Sequence, residues 1–231
     1  LVFSAHHIVC DGWSMGVIVQ GLASLYTAYA SGKTPERKSA FPFSEYAKES
    51  AIEPSGDSEN YWLKQYSVPI EPFELPQDRT RPRLKTYNAD RFDFRIDGEL
   101  ISELKKSAKR NGVSFFSMML GSFYVLLNRL SGRTDIAVGI PTAGQAATGH
   151  RDLVGHCVNL LPIRQQINTA SSLKDVMKST QTLMFDALEY QNVSYGYILK
   201  KLALQRDPSR LPLVSVVFNL DQEIKEEDMD F

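Results

Sequence analysis

The chain has 231 residues, 43% hydrophobic and 23% charged, enough to build the core of one large domain or two modest lobes. Its 26 basic and 27 acidic residues leave a net charge of −1, which gives no reason to expect nucleic acid or an anionic membrane as a partner. No apolar run reaches the length of a bilayer span. Cys10 and Cys157 lie far apart in apolar runs, so a reducing cytoplasm, and no disulfide framework, is the expected setting.

Leu1 to Val9 reads as a strand that opens in mid-run, without a turn before it, so further residues are expected upstream. Asp11-Gly12 supplies the turn that ends it. Met15, Ile18, Leu22, Leu25 and Tyr29 recur at three- and four-residue steps and predict a helix from Trp13 to Ser31, closed by Gly32. Lys33 to Ala40 is a polar connection, Phe43 to Tyr46 a short helix, and Asp57 to Tyr66 a helix whose Tyr61-Trp62 pair is assigned to the core. Pro69, Pro72, Pro76 and Pro82 then mark an extended crossing segment, with Arg79, Arg81 and Arg83 on a solvated linker between two lobes.

Beyond it, Arg91 to Ile96 alternates as a strand and Glu99 to Arg110 is an amphipathic helix. Ser114 caps an apolar helix from Phe115 to Leu130. A strand at Ile136 to Ile140, a loop at Thr142 to Gly149 and a strand at Cys157 to Ile167 follow. Ser172 caps a helix through Glu189, Val193 to Ala203 is a shorter helix, and Leu213 to Leu220 a last strand before an acidic tail. Strands mixed with helices give an α/β fold, layered as α+β.

The chemistry concentrates at His6-His7-Ile8-Val9-Cys10-Asp11-Gly12. Successive strand side chains face opposite ways, so only one histidine can enter a given cavity. Asp11 stands where its carboxylate could orient an imidazole or bond an arginine, and Gly12 allows the chain to fold sharply. No metal is expected, because the adjacent histidines diverge and no third ligand sits at a recognisable spacing. His156-Cys157 is read as the edge of a core thiol, not a nucleophile pair, and Arg206 and Arg210 as structural partners of Asp207.

His6-His7-Ile8-Val9-Cys10-Asp11-Gly12-Trp13-Ser14 resembles the His-His-x-x-x-Asp-Gly signature of nonribosomal peptide synthetase condensation domains, in the chloramphenicol acetyltransferase-like superfamily. Leu153 to Arg164 is similar to that family's Gly-x-Phe-Val-Asn block ending in Arg, and Gln205 to Leu213 to its Arg-Asp-x-Ser-Arg block. Phe43 to Ala47 and Tyr190 to Tyr195 match more loosely, and the order of the blocks agrees along nearly the whole chain. Gln145 departs from the pattern, standing where many relatives carry Arg; Asn192, Ser194 and Gly196 depart as well, and these differences bear on substrate preference and lobe contacts.

The resemblance implies that residues 1–77 are the C-terminal part of a first lobe, 78–90 the interlobe crossing, 91–221 the second lobe and 222–231 an acidic tail. It also implies a chain that holds only the end of the first lobe and is inactive alone. It implies an acyltransferase that joins an upstream acyl or peptidyl thioester to the amine of a downstream aminoacyl thioester. Both substrates would arrive on phosphopantetheine arms of carrier domains, beside an adenylation domain, with no cofactor held by the domain itself. His7 is then the catalytic histidine, acting as a general base or as a group that positions the amine or stabilises the intermediate. His6 packs, Asp11 pairs with an arginine for which Arg164 is the candidate, and Gly12 offers a backbone N–H to the reacting carbonyl. Trp13 and Ser14 support the motif, Ser14 as a helix cap or a substrate contact, and Asn159 is a substrate-channel residue. The other readings are an epimerization-type or other acyltransferase domain of the same fold and a catalytically silent scaffold; Asp11-Gly12-Trp13-Ser14 argues against an epimerization domain and intact His7 against a silent one.

Overall fold

The computed structural model describes residues 2–35, 39–54, 56–204 and 207–221. Leu1, part of the 33–40 connection, Arg206 and the 222–231 tail lie outside the described residues. The chain divides into two compact units, Leu1–Ser55 with Pro141–Asn159 and Asp221–Phe231, and Gly56–Ile140 with Leu160–Leu220.

The first unit contains α1 (Gly12–Ala30) and α2 (Phe43–Ser50). The strand expected at Leu1–Val9 is not formed: residues 2–6 have no regular structure and residues 7–9 make a turn. A strand needs a ladder partner, and no strand among the described residues pairs with this one. The apolar stripe of α1 is present in sequence, yet of its residues only Ser14 and Ala23 are fully buried, and Leu22, Leu25 and Tyr29 stay exposed. The expected 142–149 loop is instead the end of β1 (Asp135–Ala143) followed by α6 (Gly144–Thr148). Gly144 has no alternative, since a Cβ there would lie 2.4 Å from both the Cys157 carbonyl oxygen and the Tyr46 hydroxyl.

The second unit carries α3 (Gly56–Gln65), α4 (Gly98–Arg110), α5 (Phe115–Ser131), α7 (Leu173–Glu189) and α8 (Tyr195–Leu202). Three strands form its sheet in the order β2 (Val158–Gln166), β1, β3 (Val216–Val217), with β1 and β3 parallel and Val138 opposite Val216. The expected 213–220 strand shrinks to those two residues, and Leu213, where the run was expected to begin, takes a positive φ of 66° outside the extended region. The strand expected at Arg91–Ile96 is absent: Phe92 and Phe94 are exposed in an unpaired segment. Caps act where sequence placed them. The Ser114 hydroxyl accepts from the Ser117 N–H, and Ser172 forms a reciprocal capping box with Asp175.

The core gathers Trp62, Leu120, Tyr124, Ile136, Val138 and Leu161. Polar tips within it are satisfied: the Trp62 indole N–H donates to the Tyr190 carbonyl at 2.9 Å and the Tyr124 hydroxyl to the Ile163 carbonyl at 2.7 Å. The Tyr61-Trp62 core reading holds, with Tyr61 stacked on Tyr190 at 4.6 Å between ring centroids.

Candidate active site around the His7–Asp11 turn

The His-His pair is divided by a turn, not by strand alternation. Val9 N–H donates to the His6 carbonyl at 3.0 Å, and Ile8 N–H donates to His6 Nδ1 at 3.1 Å. The His6 imidazole is thus folded back on its own turn at the surface, which corrects its assignment to packing. His7 points elsewhere, lining a cavity of about 410 Å3 with Asp11, Gly12 and Met15.

Asp11 is buried and is the N-cap of α1. Its Oδ1 accepts from the Ser14 N–H at 2.8 Å and from the Ser14 hydroxyl at 2.7 Å. Gln145 Nε2 donates to both carboxylate oxygens, at 3.1 and 3.0 Å, and the Cys157 N–H donates to Oδ2 at 2.9 Å. Burial alone would raise the Asp11 pKa, but the donors outweigh it, in the order Cys157 N–H, Gln145 amide, Ser14 hydroxyl and Ser14 N–H, and hold the carboxyl below its usual range. The group stays ionised, and all of these donors are neutral.

The arginine partner expected for Asp11 is therefore corrected. Arg164 is committed to Asp135 through two contacts, at 2.9 and 2.6 Å, while its Nη1 donates to the carbonyls of Gln65 and Val68. Gln145 takes the place at Asp11. It is completely buried, and its Oε1 has no hydrogen-bond partner among the described residues. The sequence marks Gln145 as a departure, and the expected link to substrate preference and lobe contacts missed its role; its bond to the motif carboxylate spans 134 residues. The available signal was a lone amide side chain in a run of small residues.

Ser14 is the third residue of the helix, bonded to its cap, with its hydroxyl also accepting the Gly155 N–H at 2.9 Å. Trp13 donates its indole N–H to the Arg151 carbonyl at 2.8 Å. These bonds tie the start of α1 to the 149–157 segment. Gly12 does not supply a left-handed turn: its φ is not positive, and a Cβ there would meet nothing within 4 Å. What it provides is open space at the cavity. Asn159 is the second residue of β2 and half-buried. Cys157 is a core thiol as expected: burial first, then the Asp11 charge, push its pKa up to about 11.

A larger, mostly apolar hollow of about 630 Å3 lies in the second unit near Pro69 and Pro212. Its cation, Arg210, is engaged by Glu74 and Asp207 at 2.6 Å each, so the Arg210–Asp207 pairing holds. Among the described residues, no histidine or cysteine lines that hollow.

The sequence model of the condensation domain family matches residues 1–231. A plipastatin synthase of Bacillus subtilis is 31% identical over 235 residues, covering 99% of this chain and 9% of that protein. Gramicidin S synthase 2 of Brevibacillus brevis is 30% identical over 221 residues, covering 95% and 5%. Among solved structures, a holo four-domain nonribosomal peptide synthetase bound to AMP and glycine superposes with a TM-score of 0.85 at 22% identity, over 96% of this chain and 17% of that one. The first condensation domain of the calcium-dependent antibiotic synthetase, solved with a substrate analogue, gives 0.73 at 20% identity, over 93% and 46%. The chain thus spans about half the length of that condensation domain and a small part of the curated synthetases. With the family model matching along the whole chain, and with relatives of this identity among the synthetases, the chain belongs to the condensation domain family of nonribosomal peptide synthetases.

Proposed function

We propose that this chain carries the reactive wall of a domain that makes amide bonds between two carrier-bound substrates in natural-product assembly. The supporting observation is the cavity lined by His7, Asp11 and Gly12, at the start of a capped helix. The amine of a downstream aminoacyl thioester attacks the carbonyl carbon of an upstream acyl thioester. The C–N bond forms, the C–S bond breaks, and the amine's proton passes to the departing thiolate. His7 meets the amine, taking that proton or aligning its lone pair. In this reading the Gly12 backbone N–H, at the open start of α1, is offered to the carbonyl oxygen as it gains charge, while the Asp11 carboxylate is taken up by the cap.

Asp11 has no substrate role in this account. It fixes α1 and the 144–157 segment in one arrangement. The substrates ride on phosphopantetheine arms, so the partners are upstream and downstream carrier domains and an adjacent adenylation domain. The division into 1–77, 78–90, 91–221 and 222–231 belongs to the same proposal, as does a cytoplasmic location.

The test uses the parent synthetase with both carriers loaded. Gly12→Leu adds bulk at a position whose Cβ would meet nothing within 4 Å, so carrier loading and melting temperature should stay unchanged while amide formation falls about tenfold. Undiminished amide formation in that variant would overturn the placement of the reaction.

A further inference from the structure

Cys157 reads from sequence as a core thiol and is buried, while His156 beside it is exposed. Exposure does not leave it idle. Its ring lies edge-to-face on His7, with centroids 5.2 Å apart and planes at 78°. That distance and angle belong to the favoured geometry of aromatic pairs.

The backbone beneath His156 is held on both sides. Gly155 N–H is bound to the Ser14 hydroxyl at 2.9 Å, and Cys157 N–H to the Asp11 carboxylate at 2.9 Å. The bonds that clamp Asp11 therefore also present the His156 ring to His7. His7 itself stands on a turn, outside any helix or strand, and is exposed. An imidazole in such a place is free to change rotamer unless something packs against its ring.

We propose that His156 is a positioning residue for His7: its ring, fixed through Gly155 and Cys157, sets the plane in which the His7 imidazole faces the cavity. The inference rests on the reading that His7 meets the amine. Preorganisation of this kind acts on rate, since a small misplacement of a reacting group lowers the population of productive geometry. The ring's shape is what matters, so an aromatic replacement should serve where a small side chain does not.

The experiment compares wild-type, His156→Ala, His156→Phe and His7→Ala forms of the intact synthetase, loaded with the amino acids its own adenylation domains select. Single-turnover amide formation is measured beside carrier loading and melting temperature. His156→Ala should slow amide formation about tenfold with loading unchanged, and His156→Phe should recover most of the rate. In histidine-labelled protein, the His7 ring signals should move toward a rotamer-averaged position in His156→Ala alone. A wild-type rate in His156→Ala overturns the inference. So does a His156→Phe as slow as His156→Ala, which would assign proton chemistry to His156 in place of packing. A His7→Ala that keeps full rate would instead overturn the reading beneath it, and the two failures are separable.

Discussion

At the scale of single residues, the motif carboxylate serves to build the site. Asp11 caps α1, accepts hydrogen bonds from Ser14, Gln145 and the Cys157 N–H, and carries a pKa held below the ordinary carboxylate range. A lowered folded-state pKa contributes stability that is present above the unfolded value, near 3.9. That stability is lost as pH falls through the folded value. Thermal melts between pH 7 and pH 2 should therefore show Asp11→Asn less stable at neutral pH by about 1–2 kcal/mol, with a shallower decline below about pH 4. An acid limb as steep as that of the wild type would contradict the role given to this carboxylate. The His7–Gly12 segment was legible in sequence because its residues are contiguous. Gln145 and the Cys157 N–H were not, because their bonds to Asp11 span 134 and 146 residues. The Arg164 pairing was misread for a related reason: a conspicuous arginine was matched to a conspicuous carboxylate, while Asp135, 29 residues away, meets it with better geometry.

At the scale of elements, local signals succeeded where an element completes itself. The caps at Ser114 and Ser172 and the helices they open depend on neighbours three or four residues away. Strands depend on a partner, and alternation in Arg91–Ile96 or an apolar run before Val9 could not reveal whether a ladder was present in this chain. The stripe of α1 has the same character: its period forms the helix, and nothing among the described residues covers much of it. Helix pairing adds a constraint no periodicity exposes. Where α5 crosses α7, a Cβ on Gly121 would lie 3.2 Å from both the Met177 Cα and the Thr180 Oγ1. Gly121→Val should therefore force these helices apart and cost about 1–3 kcal/mol, read as a lowered midpoint in urea unfolding. An unchanged midpoint would refute the close crossing. Buried Gln165 accepts from the Thr180 hydroxyl and donates to the Ser179 hydroxyl beside this contact, so the displacement should also disturb these bonds.

At the scale of the whole molecule, the mixed α/β class and the family were both legible: the contiguous His6–Ser14 block carries the resemblance, and a curated relative is 31% identical over 99% of the chain. The central claim is that amide formation runs through His7. The most direct measurement is rapid-quench, single-turnover mass spectrometry of the downstream carrier arm in the intact synthetase, wild type against His7→Ala. The arm should gain the upstream acyl mass in the wild type and gain it at least a hundredfold more slowly in His7→Ala, with both carriers loaded equally. Equal rates in the two proteins would contradict the claim.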